Sequence, residues 1–318
     1  MCTSLTYTTA SAHHFFARTM DFPTTTPWRP VFLPRQHHWQ PAVGPIRTSQ
    51  YAILGGGRRA SDWHAYLLGD GVNEAGLSCA ELYLPGAATY ADQPAVGQVN
   101  LGPQDFITWV LGEHTTLAEV IADLPRVTLL NRRWGQATAV YPFHWILSDP
   151  TGQTIVIEPT GGPLQAQVNP AGILTNTPIL ATHLKNLNRY LGVAGDNFTS
   201  ETIQAAKIVI ASGQKLPAKT IPTDRFIHMA IRRWGTPIAE NDEASTREIF
   251  QWLAEVSLPF DPKRQGQPNH NYTHYRSIFN LEAKMLTFQS RRSRRLQQIV
   301  LTPEMASHRH FPHAYPAE

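Results

Sequence analysis

The chain has 318 residues, 42% of them hydrophobic and 16% charged, with a formal net charge of +3. A charged fraction below the roughly 25% of ordinary globular chains, beside a normal apolar fraction, excludes a disordered or coiled-coil protein. The small net charge excludes nucleic-acid binding driven by charge alone. No stretch approaches the roughly 18–20 apolar residues of a membrane span, and the N-terminus lacks the regions of a secretory signal, so a cytoplasmic protein is expected.

Alternation over residues 3–8 predicts a strand with Leu5 and Tyr7 on one face, and residues 14–22 predict a second, stopped by Pro23. Two strands at the head of the chain put the N-terminus inside a sheet. Strands are also predicted at 51–54, 145–148, 154–158 and 173–175. Asp149-Pro150-Thr151-Gly152 reads as a turn joining 145–148 to 154–158 as a hairpin, and Asp70-Gly71 and Pro85-Gly86 mark further turns. Phe106, Trp109 and Val110 share one helix face. Leu117, Val120, Ile121 and Leu124 recur at helical spacing behind a capping box, Thr116-Leu117-Ala118-Glu119. Helices are predicted over 202–211, 225–234 and 244–256, and strands return at 273–279 and 284–289. Strands, then helices, then strands, without βαβ alternation, predict the α+β class. With no linker and no repeat, residues 1–318 read as one domain. The run Arg291-Arg292-Ser293-Arg294-Arg295 reads as a solvated edge.

Two cysteines make no disulfide framework, and the histidines lack metal-ligand spacing. There is no glycine-rich phosphate loop, so neither a metal nor an organic cofactor is expected. Cys2 is the most informative position. Initiator methionine is trimmed before small residues, which would leave the Cys2 thiol beside its own α-amine. An α-amine titrates at about 7.7–8.0 and a thiol at about 8.5, so the amine can act as base and the sulfur as nucleophile near neutral pH. The plainer alternative is an incidental small residue near a terminus. Cys79, in an apolar run, reads as core. Arg18 and Asp21 span about 10 Å of extended chain. Both reach Cys2 if a turn or bulge lies between them, Asp21 holding the ammonium form and Arg18 favouring thiolate; otherwise they are surface charges.

These residues stand in a pattern that resembles the choloylglycine hydrolase family of N-terminal-nucleophile hydrolases, which includes bile salt hydrolases and penicillin V acylases. The likeness covers most of the chain. It rests on Met1-Cys2-Thr3-Ser4, Ala17-Arg18-Thr19-Met20-Asp21-Phe22, Asp70-Gly71-Val72-Asn73-Glu74-Ala75-Gly76-Leu77 and Ala88-Thr89-Tyr90-Ala91-Asp92. Ile155-Val156-Ile157-Glu158-Pro159, Leu174-Thr175-Asn176-Thr177-Pro178 and Asp224-Arg225-Phe226 continue it in order.

The resemblance implies a four-layer αββα sandwich of two antiparallel sheets between helices. It also implies that Cys2 is nucleophile and, through its amine, base, flanked by Arg18 and Asp21. Asn176 would donate its side-chain amide to the oxyanion, the Tyr83 backbone N–H would be the second donor, and Arg225 would complete the site. The partner is then a small-molecule acyl amide. Tyr83 matches the tyrosine of penicillin V acylases, where bile salt hydrolases carry asparagine, so an aryl acyl group is the first expectation. Conjugated bile salts and acyl-homoserine lactones are the alternatives, and an inactive ligand-binding relative is the alternative outside catalysis. Residues 195–225 depart from the family: a glycine-rich stretch is missing, and His228 stands where a second arginine is common. That segment bears on substrate entry and on the homo-tetramer that the resemblance implies.

Overall fold

Strand β1 (Thr3–Thr8) is buried along almost its whole length, on both faces, and the architecture follows from that. The computed structural model describes residues 2–59, 66–134, 137–267, 270–293, 295–307 and 311–316. After β1 come β2 (His14–Phe22), β3 (Arg29–Leu33), β4 (Ile53–Arg59), β5 (Asp70–Asn73) and β6 (Ser78–Tyr83). Helices α1 (Phe106–Glu113) and α2 (Leu117–Asp123) precede the hairpin β7 (Phe143–Ser148) and β8 (Thr154–Ile157). Strand β9 (Ile173–Leu174) leads to α3 (Leu180–Leu191), α4 (Ser200–Ala211), α5 (Pro222–Gly235) and α6 (Asp242–Val256). Strands β10 (Tyr272–Asn280), β11 (Met285–Ser290) and β12 (Gln297–Val300) follow.

One antiparallel sheet has the order β9-β1-β2-β10-β11-β12. The other runs through β8-β7-β6-β5-β4-β3, with Ala166–Val168 and His313–Ala314 at its edges. Leu5 and Tyr7 do share a face, and it meets the helices: Tyr7 stands edge-on to Trp252 of α6 at 5.9 Å. The opposite face meets the second sheet, where Thr6 Oγ1 lies 3.0 Å from Thr154 Oγ1 of β8. Helices α5 and α6 cover the first sheet and α1 the second, which makes the layers αββα. Each fully buried leucine, such as Leu5, contributes about 1.5–3 kcal/mol to holding them together.

The expected hairpin forms, with Trp145 opposite Ile157 and Ser148 opposite Thr154. Thr116 Oγ1 accepts the Glu119 N–H at 3.2 Å, while the Glu119 carboxylate bonds Thr115 instead of closing the box on Thr116.

Three expectations need correction. Asp70-Gly71 is no turn but the start of β5, because the Asp70 side chain is needed inside, between the sheets. The strand read at 51–54 begins at Ile53 and continues through three glycines to Arg59. The middle glycine marks a close approach of the two sheets: a Cβ on Gly56 would strike the Tyr275 hydroxyl, as well as the Asp70 carboxylate of its own sheet. Helix α3 went unread, although Leu180, Leu184, Leu187 and Leu191 recur at helical spacing. Arg291, Arg292 and Arg295 are exposed as expected, and Arg294 lies outside the described residues.

Candidate active site

Cys2 stands one residue ahead of the ladder in which Thr3 faces Thr19 and Ser4 faces Arg18. It is only 4% exposed. Its Sγ lies 3.5 Å from the Asp21 carbonyl oxygen, and its nitrogen donates to Asn176 Oδ1 at 2.6 Å. In the full chain that nitrogen is a peptide N–H; it is the atom that becomes the α-amine when Met1 is removed.

Arg18 and Asp21 reach Cys2 without the turn or bulge expected between them. Strand β2 runs uninterrupted, and the irregularity lies in its partner β10, between Thr273 and Tyr275. A separation of three residues along an extended strand puts the two side chains on opposite faces. Arg18 points between the sheets, wholly buried, and donates to the Thr19 and Gly69 carbonyls with Asp70 Oδ2 at 3.7 Å. Asp70 in turn accepts from the Gly56 N–H at 2.7 Å, the Tyr275 hydroxyl at 2.9 Å and the Ser277 hydroxyl at 3.0 Å. Burial works against the Arg18 charge, but the Cys2 sulfur, Tyr275, Asp70 and Glu81 overcome it and hold the guanidinium above its ordinary pKa. The Asp21 carboxylate accepts from the Thr273 hydroxyl at 2.6 Å and the Thr19 hydroxyl at 3.2 Å. Burial raises its pKa, opposed by the chain's α-amine and Arg225.

Asn176 follows β9, the neighbour of β1, which is why two residues so far apart in sequence meet. Its Oδ1 accepts from Arg225 Nη2 at 3.2 Å as well as from Cys2, and its Nδ2 donates to the Tyr83 carbonyl at 2.9 Å. Arg225, from the first turns of α5, is fully buried and also donates to Thr3 Oγ1 at 3.2 Å. The Leu84 N–H bonds the Pro142 carbonyl, so ladder alternation turns the Tyr83 N–H away from β7.

All six expected residues are thus brought together. Sequence reading missed what holds them. His144 donates to the Thr175 carbonyl at 2.8 Å and meets Glu158 at 3.0 Å, while Glu158 also accepts from the Leu180 N–H. His183, on the unread α3, donates to the Asn176 carbonyl at 2.8 Å. Burial pushes His183 down to about 4, keeping it neutral. No short motif contains these residues; only the pairing of β7 with β8 and the docking of α3 gathers them.

From Cys2 a narrow apolar slot extends, walled by Phe22, Trp28, Tyr83, Tyr141 and Phe143. A roomier cleft, bounded by Tyr90, Pro125, Leu129 and Leu164, has no cysteine, histidine, carboxylate or cation among its lining residues to support acyl chemistry. Among the described residues no group of three or more His, Cys, Asp or Glu side chains is arranged to hold a metal ion. The arrangement offers a nucleophile, a nitrogen on the same residue that is a base once Met1 is removed, an amide donor and buried cations, the inventory for attack on a carbonyl.

The sequence model of the linear amide C–N hydrolases, choloylglycine hydrolase family, matches residues 2–307. A bile salt hydrolase/transferase of Clostridium perfringens is 29% identical over 310 residues, covering 96% of this chain and 93% of the relative. A crystal structure of a variant conjugated bile acid hydrolase from Clostridium perfringens superposes with a TM-score of 0.81 at 26% identity, covering 100% of this chain and 97% of that one. A penicillin V acylase of Pectobacterium atrosepticum is more distant, 23% identical over 225 residues, covering 70% of this chain and 58% of the relative.

Proposed function

The chain belongs to the choloylglycine hydrolase family and hydrolyses linear amide C–N bonds, and from that premise we propose that it is an N-terminal-cysteine enzyme acting on conjugates of the bile-salt type. The observation carrying the mechanism is the Cys2 nitrogen bonded at 2.6 Å to Asn176 Oδ1 while the Cys2 sulfur stands against Asp21. Removal of Met1 makes that nitrogen an amine. The amine takes the thiol proton, the sulfur attacks the amide carbonyl, and the tetrahedral oxyanion is met by Asn176 Nδ2 and the Tyr83 N–H. For this, Nδ2 turns from the Tyr83 carbonyl to the new oxygen. The ammonium returns its proton to the leaving amine, giving a thioester on Cys2 that water hydrolyses. Arg18 holds a buried positive charge close to the reacting sulfur, while Asp21 and Arg225 hold the amine and Asn176 in place.

One finding supports a bile-salt-type acyl group over the expected aryl group. Identity to the bile salt hydrolase/transferase extends over nearly the whole of both chains, whereas likeness to the penicillin V acylase covers much less. The slot wall is apolar and aromatic, which suits either acyl group. One observation favours the second reading: the Tyr83 ring packs against Phe22 at 6.5 Å and Phe143 at 6.2 Å, a rigid wall suited to a flat aryl group. Amine release from glycocholate and from penicillin V, side by side, tests the choice. Faster glycocholate turnover is expected, and a preference for penicillin V would overturn the substrate class while leaving the cysteine chemistry intact.

A further inference from the structure

The wall of the slot contains polar groups that the hydrolytic steps do not use. Glu81, adjacent to the oxyanion residues at the end of β6, lines the same slot as Cys2 and is 4% exposed. Its Oε2 is buried without a hydrogen-bond partner. The indole Nε1 of Trp28, also in the slot wall and 5% exposed, is likewise buried without a partner. Behind it, the Arg58 guanidinium stacks over the Trp28 ring at 5.6 Å and the Trp134 ring at 4.9 Å. Arg58 is 8% exposed, and its Nε is a third buried donor lacking an acceptor. Buried polar groups left without a partner are rare and costly. Two of them on side chains that line one substrate slot, with a third directly behind, call for a ligand.

The electrostatics narrow the chemistry of that ligand. Burial drives the Glu81 carboxyl up to about 8, with Arg18 and Arg58 opposing and Asp70 adding to the rise. At neutral pH the group is then largely a protonated acid, able both to give and to accept. A cation entering here would meet Arg18 and Arg58, and a carboxylate would lack a charged partner in the neutral Glu81. A neutral oxygen that both donates and accepts suits all of them.

We propose that Glu81 and Trp28, with Arg58 stacked behind the indole, form a polar subsite in the acyl slot that receives a hydroxyl group carried by an otherwise apolar acyl chain. The assignment rests on the reading that the acyl half of the substrate occupies this slot. It makes Glu81 a specificity-determining residue: an acyl group lacking the hydroxyl leaves Glu81 and the Trp28 indole unpaired, and a site built this way discriminates against it.

The test is kcat/KM for two pairs of glycine amides that differ only in acyl hydroxylation. One pair is glycocholate and the glycine conjugate of unhydroxylated cholanic acid; the other is 4-hydroxyphenylacetyl-glycine and phenylacetyl-glycine. The wild type is expected to favour the hydroxylated member of at least one pair by about tenfold or more. Glu81→Leu should bring that ratio close to one, mainly through KM, while Glu81→Gln retains most of it. Equal ratios in wild type and Glu81→Leu, or no preference in the wild type, would overturn the subsite. Turnover of none of the four amides would count against the proposed function. In that event calorimetric binding of the free acids to Cys2→Ala decides the subsite separately, with equal affinity for hydroxylated and unhydroxylated acids rejecting it.

Discussion

Asn176 ties the site together, because one side chain accepts from Cys2 and Arg225 and donates to Tyr83. Asn176→Ala should lower kcat by about a hundred- to a thousandfold, the usual cost of one oxyanion donor, with the fold intact by circular dichroism. An unchanged kcat would remove Asn176 from the oxyanion. The importance of Cys2 was legible in the sequence, since its position and resemblance sufficed to single it out. His183, Glu81 and Arg58 were not, because burial, not residue type, gives them their significance. Glu81 also makes a stability prediction. Its folded pKa, about 8, lies above the ordinary carboxyl value, so its contribution is fully present below about 4.5 and is lost as pH rises towards 8. Glu81→Gln does not titrate, so its stability relative to wild type should improve from pH 5 to pH 8 by roughly a few kcal/mol in urea melts. A constant difference across that range would mean that the carboxyl is not held protonated.

At the scale of elements, β1 and β2 were readable because alternation and a terminal proline mark them even where both faces are buried. Strand β4 was misread because its glycines answer to residues distant in sequence, Gly56 to Tyr275 of the other sheet and Gly55 to the Asp70 backbone beside it, contacts that no local pattern reports. The same closeness predicts that Gly56→Ala is severe: the Cβ meets the Tyr275 hydroxyl and Asp70, the acceptor that faces Arg18. It should cost about 1–3 kcal/mol by overpacking and lower activity with it. Leu5→Ala makes a cavity instead and should cost about 2–5 kcal/mol. Denaturant melts measure both: a loss under about half a kcal/mol for Gly56→Ala would contradict the close approach of the sheets at that point, and for Leu5→Ala the close packing of β1 between its layers.

For the whole molecule, the αββα layering sets how charge is stored. His37, His183 and His274 are each pushed down to about 4, chiefly by burial. A depressed histidine contributes stability above its unfolded pKa, lost as pH falls through the folded one. The stability of the wild type relative to a His274→Gln variant, which does not titrate, should therefore fall between about pH 6.5 and 4 by an amount on the order of a few kcal/mol, and a constant difference in urea midpoint across that window would contradict it. The α+β class was legible from element order, whereas the pairing that brings β9 beside β1, and with it Asn176 beside Cys2, is a long-range choice the sequence does not display. Among the described residues no helix is long and apolar enough to cross a membrane. The central claim is that Cys2, freed of Met1, forms an acyl thioester. Intact-mass spectrometry of the enzyme quenched during glycocholate turnover tests it most directly. The account predicts a chain lacking Met1 and carrying the cholyl group on Cys2, with no adduct in Cys2→Ala. Undiminished turnover by Cys2→Ala, or by a chain that retains Met1, would contradict it.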